Sequence, residues 1–121
     1  MMRVLVRGAG NLGTTLANVL ASELLLDVTL EKGSPKAFEE ADLEIAQQRG
    51  VHIVRGEAPL DVDYVFDCRA PGAPLRSLAT YRERGVRASA QGSERGFGAP
   101  YMTGFELAGD FVHVASCNTH A

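Results

Sequence analysis

A chain of 121 residues is long enough for one domain with its own core and needs no disulfide framework to hold it. Apolar residues make up 45% and charged residues 22%, the balance of a globular protein rather than a disordered one. The net charge of −3 argues against the basic face of a nucleic-acid binder, and no stretch nears the roughly 20 apolar residues of a membrane span.

Val4 to Val6 is an apolar run bounded by Gly8 and predicts a buried strand. From Asn11 to Leu24, residues Leu12, Leu16, Val19, Leu20 and Leu24 recur at helical spacing and predict a helix with one apolar face. Leu25 to Leu30 predicts a second strand, closed by the turn chemistry of Gly33, Ser34 and Pro35. Ala37 to Gln48 predicts a second helix, its apolar face made by Phe38, Ala41, Leu43, Ile45 and Ala46 and its end marked by Gly50. Val51 to Val54 and Val62 to Phe66 predict a third and a fourth strand. A loop over 69–74 leads into a helix from Leu75 to Arg84, stopped by Gly85, and Val86 to Ala90 predicts a fifth strand. Residues 91–100 are glycine-rich and expected to be irregular, 101–108 to be a short helix, and Phe111 to Ala115 a sixth strand. Strands alternating with helices imply an α/β, doubly wound, mostly parallel six-stranded sheet in a single domain over 1–121.

The two cysteines, Cys68 and Cys117, are too few for a disulfide scaffold, and no Cys/His cluster has zinc spacing, so no metal is expected. The opening run is too short for a signal peptide, which makes a cytoplasmic protein with free thiols the default. His52 and His113 alternate with apolar residues inside strands and read as sheet-face residues. Asp61 and Asp63 read as solvated turn residues.

Gly8-Ala9-Gly10-Asn11-Leu12-Gly13 matches G-x-G-x-x-G between a predicted strand and a predicted helix, the context that gives the pattern meaning. Gly8 would permit the tight turn and Gly10 the approach of a pyrophosphate, while Gly13 would allow close helix–strand packing. The N–H groups of the first helical turn, from Asn11 and Leu12 onward, would face the anion. The alternative is a strand-to-helix turn that is merely glycine-rich. Glu31 falls 23 residues after Gly8, near where a carboxylate would bind ribose hydroxyls and favour NAD. Lys32 and Ser34 follow at once and would suit a 2′-phosphate, favouring NADP. The alternative for Glu31 and Lys32 is two solvated strand ends.

Ser116-Cys117-Asn118-Thr119-His120 follows the last predicted strand. At the carboxyl end of a strand, and at the start of a helix, Cys117 would be thiolate-prone, with backbone N–H groups nearby for an oxyanion. The alternative is a small buried hydrophobe. Cys68 also follows a strand, but without such polar neighbours, and reads as packing.

Taken in order, these residues resemble the archaeal-type, or type II, glyceraldehyde-3-phosphate dehydrogenases. Residues 4–13 resemble the family's opening strand and phosphate turn, Lys32-Gly33-Ser34-Pro35 its K-T-S-P, and Arg49-Gly50-Val51-His52-Ile53 its R-G-I-x-I. Gln91-Gly92-Ser93-Glu94 resembles Q-G-G-E, and Ser116-Cys117-Asn118-Thr119 matches the start of S-C-N-T-T. The resemblance implies NADP or NAD as cofactor, with Gln91 and Gly92 joining the residues already named. It implies Cys117 as nucleophile beside Asn118, with a phosphorylated aldehyde and inorganic phosphate as co-substrates and a thioester intermediate. The chain departs from the family at Cys68-Arg69-Ala70-Pro71-Gly72, where T-T-P-N-G is usual, at Glu31, where a neutral residue is usual, and at His120 in place of a threonine. The family's second domain, with its histidine base, is expected outside this chain. The isolated chain is therefore expected to be inactive, completed by a partner chain or self-associating through an uncovered sheet face. A stand-alone NAD(P)-binding module and a semialdehyde dehydrogenase-like fragment are the competing readings.

Overall fold

The computed structural model describes residues 2–8, 11–22, 26–32, 40–70, 72–91, 99–101 and 111–114. In chain order the elements are β1 (Met2–Arg7), α1 (Asn11–Ala21), β2 (Leu26–Lys32), α2 (Glu40–Gln48), β3 (His52–Arg55), β4 (Tyr64–Asp67), α3 (Ala73–Arg84), β5 (Arg87–Gln91), β6 (Ala99–Tyr101) and β7 (Phe111–Val114). The strands form one sheet in the order β3-β2-β1-β4-β5-β7-β6, and every pairing is parallel.

Side chains alternate across a strand, so the sheet has a core on each face. Val6 of β1, Val28 and Leu30 of β2 and Val51 pack under α1 and α2 with Ala17, Leu43 and Ala46. Leu5, Val65, Ala88 and Ala90 point the other way and pack under α3 with Leu78 and Tyr81. The doubly wound arrangement follows: α1 and α2 cover one face and α3 the other. No helix links β3 to β4. Residues 56–63 make that crossover without helix or strand, with Ala58, Leu60 and Val62 in the α3-side core.

The sheet has seven strands among the described residues, not the six expected. The extra one, β6, lies at the edge beside β7, with Pro100 opposite His113. An edge strand tolerates proline because one side of its ladder bonds to nothing. Residues 99–101 therefore leave the irregular and helical segments expected there, and 102–108 lie outside the described residues. The helical faces are corrected too. Val19 and Ile45 are exposed. A residue two positions from Leu43 or Ala17 points roughly 200° away around a helix, and the sheet-facing stripes are Gly13-Ala17-Leu20 and Leu43-Ala46.

Candidate functional site

The strand order reverses between β1 and β4, and ligands of such sheets bind beyond the carboxyl ends at that point. The glycine turn stands there. Gly8 has a φ of +97°, and a Cβ on it would sit 2.8 Å from the Cys68 carbonyl oxygen. A Cβ on Gly13 would fall 1.7 Å from the carbonyl oxygen of Gly8. Neither position admits a side chain, because β1, α1 and the end of β4 meet in van der Waals contact. Backbone hydrogen bonds close the turn: the Gly8 N–H donates to the Glu31 carbonyl at 3.0 Å, and the Cys68 N–H to the Arg7 carbonyl at 2.8 Å. The first turn of α1 carries no acidic side chain that would compete with an anion at its positive end.

Glu31 and Lys32 are both buried, so neither is a solvated strand end. They also face opposite sides of the sheet. Glu31 is on the α3 side, where Oε1 accepts from Arg7 Nε at 3.1 Å and Oε2 from the Ala58 N–H at 2.7 Å. Each oxygen of the carboxylate expected to chelate a ribose already has an interior donor. Lys32 follows Leu30 onto the α1/α2 side, and its carbonyl accepts from the Gly56 N–H at 2.9 Å.

The Arg7–Glu31 pair belongs to a larger polar cluster that the sequence did not bring to notice. Arg7 Nη1 donates to the Tyr81 hydroxyl at 2.9 Å, and that hydroxyl donates to Asp67 Oδ2 at 2.5 Å. Arg69 closes on Asp67 from the other side, with Nε 2.8 Å from Oδ1 and Nη2 2.7 Å from Oδ2. Nη2 also reaches the Ser77 hydroxyl at 2.6 Å and the Ala73 carbonyl at 3.1 Å on α3. Burial, opposing charge, is outweighed at both arginines by hydrogen bonds to Tyr81 and Asp67 respectively, so both hold their protons more firmly than usual. Burial first, then the Asp67 carboxylate, push the Tyr81 hydroxyl up to about 12. The available signal was a charged residue at the end of an apolar strand, at Arg7 and again at Asp67.

Cys68 packs against the α1-side core, and burial and Asp67 push its thiol up to about 12, which fits the packing role read from sequence. His52 stands exposed on β3 with Nε2 3.0 Å from Asp27. Asp61 and Asp63 are exposed turn residues, and Asp63 accepts from the Arg3 N–H at 2.7 Å. Gln91 ends β5, at the carboxyl edge. Gly10, Ser34, Gly92, Cys117 and Asn118 lie outside the described residues, as do the side chains of Asn11 and Leu12. Among the described residues no cluster of His, Cys, Asp or Glu has the makings of a metal site, and no helix is long and apolar enough to cross a membrane.

A glycine turn with no room for a Cβ, set at the switch point of a doubly wound parallel sheet, defines a Rossmann-type α/β domain. Over 98% of its length the chain is similar to 42% of glyceraldehyde-3-phosphate dehydrogenase from Methanothermus fervidus, at 28% identity. The corresponding enzyme of Methanothermobacter thermautotrophicus matches at 26% identity over the same shares. The resemblance drawn from the motifs therefore holds along the whole chain, which spans about two-fifths of the length of the curated relatives it matches. Among solved structures, 3-hydroxyacyl-CoA dehydrogenase from Archaeoglobus fulgidus superposes on 74% of this chain and 33% of its own, with a TM-score of 0.50 and 22% identity, a likeness of fold. No protein-family model matches.

Proposed function

We propose that this chain is the NAD(P)-binding portion of a phosphorylating, glyceraldehyde-3-phosphate dehydrogenase-like oxidoreductase acting in the cytoplasm. The observation that carries this reading is the glycine turn, where Gly8 and Gly13 have no space for a Cβ, in a chain similar from end to end to two archaeal enzymes of that name. The residues present fit a dinucleotide. Gly8, Gly10 and Gly13 would let its pyrophosphate meet the N–H groups of Asn11 and Leu12. Lys32 and Ser34 would take the adenosine ribose or a 2′-phosphate, and Gln91 and Gly92 the far end of the crevice. Bound there, the dinucleotide supplies the hydride acceptor.

Cys117 is the nucleophile of this reading. Its thiolate adds to the aldehyde carbon of a phosphorylated substrate, and the thioester left after oxidation is cleaved by inorganic phosphate to an acyl phosphate. Asn118, next in sequence, would donate to the developing oxyanion. A complementing catalytic region, or a second copy packed on the sheet, would complete the site.

Titration calorimetry with NAD and NADP tests the cofactor claim. Both are expected to bind, NADP more tightly, since the Glu31 carboxylate is engaged by Arg7 and Ala58 instead of opposing a 2′-phosphate. Gly10→Val is expected to abolish binding. Lys32→Ala should weaken NADP more than NAD, while Glu31→Gln should lower stability without changing the ratio of the two affinities. No binding of either cofactor would sink the proposal.

A further inference from the structure

The buried positions of the sheet's α3 face are apolar except at its carboxyl edge. There Arg7, Glu31, Asp67 and Arg69 place two positive and two negative groups around the Tyr81 hydroxyl, with the side chains of Glu31 and Asp67 both at least nine-tenths buried. Their positions along the chain are informative. Arg7 immediately precedes Gly8, and Asp67 immediately precedes Cys68, whose carbonyl Gly8 abuts. The backbones of these pairs are already tied, Cys68 N–H to Arg7 carbonyl and Gly8 N–H to Glu31 carbonyl. The side chains tie the same strand ends a second time, from below. Among the side-chain hydrogen bonds described, those of the Tyr81 hydroxyl join the two halves: it accepts from Arg7 on β1 and, at 3.5 Å, from Arg69, and donates to Asp67 on β4.

We infer that Tyr81 is a positioning residue for the dinucleotide: by bridging Arg7 and Asp67 it fixes the end of β1 against the end of β4 and so sets where the glycine turn presents its N–H groups. This rests on the dinucleotide reading above and deepens it. Tyr81 touches no ligand in this role. It acts through Arg7, the residue that anchors the turn, and α3 thereby becomes part of the cofactor site although it lies on the opposite face from α1. The tolerance is small, because a Cβ-sized displacement at Gly8 already meets the Cys68 carbonyl.

Tyr81→Phe removes the bridging oxygen and keeps the ring, including its stacking distance of 5.9 Å from the Arg7 guanidinium. The variant loses the bonds to both Arg7 and Asp67; as neither touches the ligand, only part of that loss reaches the turn, and the Kd for NAD and for NADP is expected to rise roughly tenfold. In the ligand-free protein it should also speed amide hydrogen exchange at Gly8 and Cys68. Leu78→Val, a core residue of the same helix away from the bridge, controls for general loosening of α3. It should lower the melting temperature and leave both the Kd and the exchange at Gly8 unchanged. Wild-type Kd and wild-type exchange in Tyr81→Phe overturn the inference, as does an equal effect from Leu78→Val. If the wild-type chain binds neither cofactor, the dinucleotide reading fails and this inference with it; if it binds and Tyr81→Phe binds equally, only this inference fails.

Discussion

Tyr81 and Cys68 carry the clearest pH signature of any single residues here. Each holds its proton more tightly folded than unfolded, because burial and the Asp67 carboxylate both disfavour the anion. Their ordinary values are 10.0 and 9.0, and the folded protein moves both to about 12. The stability they contribute is therefore complete below the unfolded values and is lost as pH rises from there toward about 12. Melting temperature is expected to fall through that alkaline window, and the fall should be shallower in Tyr81→Phe; equal slopes would show that Tyr81 does not titrate with unfolding. The same residue scale shows where reading the chain as a string of letters runs out. Glu31 and Lys32 are neighbours in sequence with opposite charge, and nothing in that adjacency says that one joins Arg7 while the other faces α1 and α2. The pleat of β2 decides it, together with the hydrogen-bond donors that tertiary contact brings to one face.

At the scale of elements, periodicity located the helices better than it chose their faces. The apolar positions of α1 and α2 outnumber those the sheet can cover, so Val19 and Ile45 are left in solvent. Helix α3 is more fully specified by local chemistry: it has proline in its first turn, Arg82 and Arg84 in its last, and Gly85 after it. Gly85 has a φ of +66° and its N–H caps the Arg82 and Tyr81 carbonyls. A Cβ there would meet nothing within 4 Å, so only backbone conformation is at stake. Gly85→Ala is expected to cost about 1 kcal/mol in chemical denaturation, and Gly85→Asn less. A neutral Gly85→Ala would show that the helix end relaxes out of the left-handed region. The crossover over 56–63 was the element least visible in advance. It has no helical period, and its role, to deliver the Ala58 N–H to Glu31, exists only in three dimensions.

For the molecule as a whole, cofactor binding and turnover separate. The chain spans 42% of the length of the dehydrogenases it is similar to. Assayed alone, these 121 residues are expected to bind cofactor yet oxidise glyceraldehyde 3-phosphate negligibly. Loss of a general base by itself slows such chemistry by about 10²–10⁴-fold. Activity matching a complete dehydrogenase, and abolished by Cys117→Ser, would place a base within the chain, with His120 the first residue to test. By itself the sequence determined the alternation of strand and helix and the glycine turn at the first junction, along with the likeness to a family. Those are local matters of period and backbone space, written in neighbouring residues. Tertiary structure alone decided the strand order, the edge strand at Ala99–Tyr101, and the meeting of Arg7, Glu31, Asp67, Arg69 and Tyr81. These residues lie up to 74 positions apart in sequence, and they become neighbours only when three parallel strands align their carboxyl ends beneath one helix.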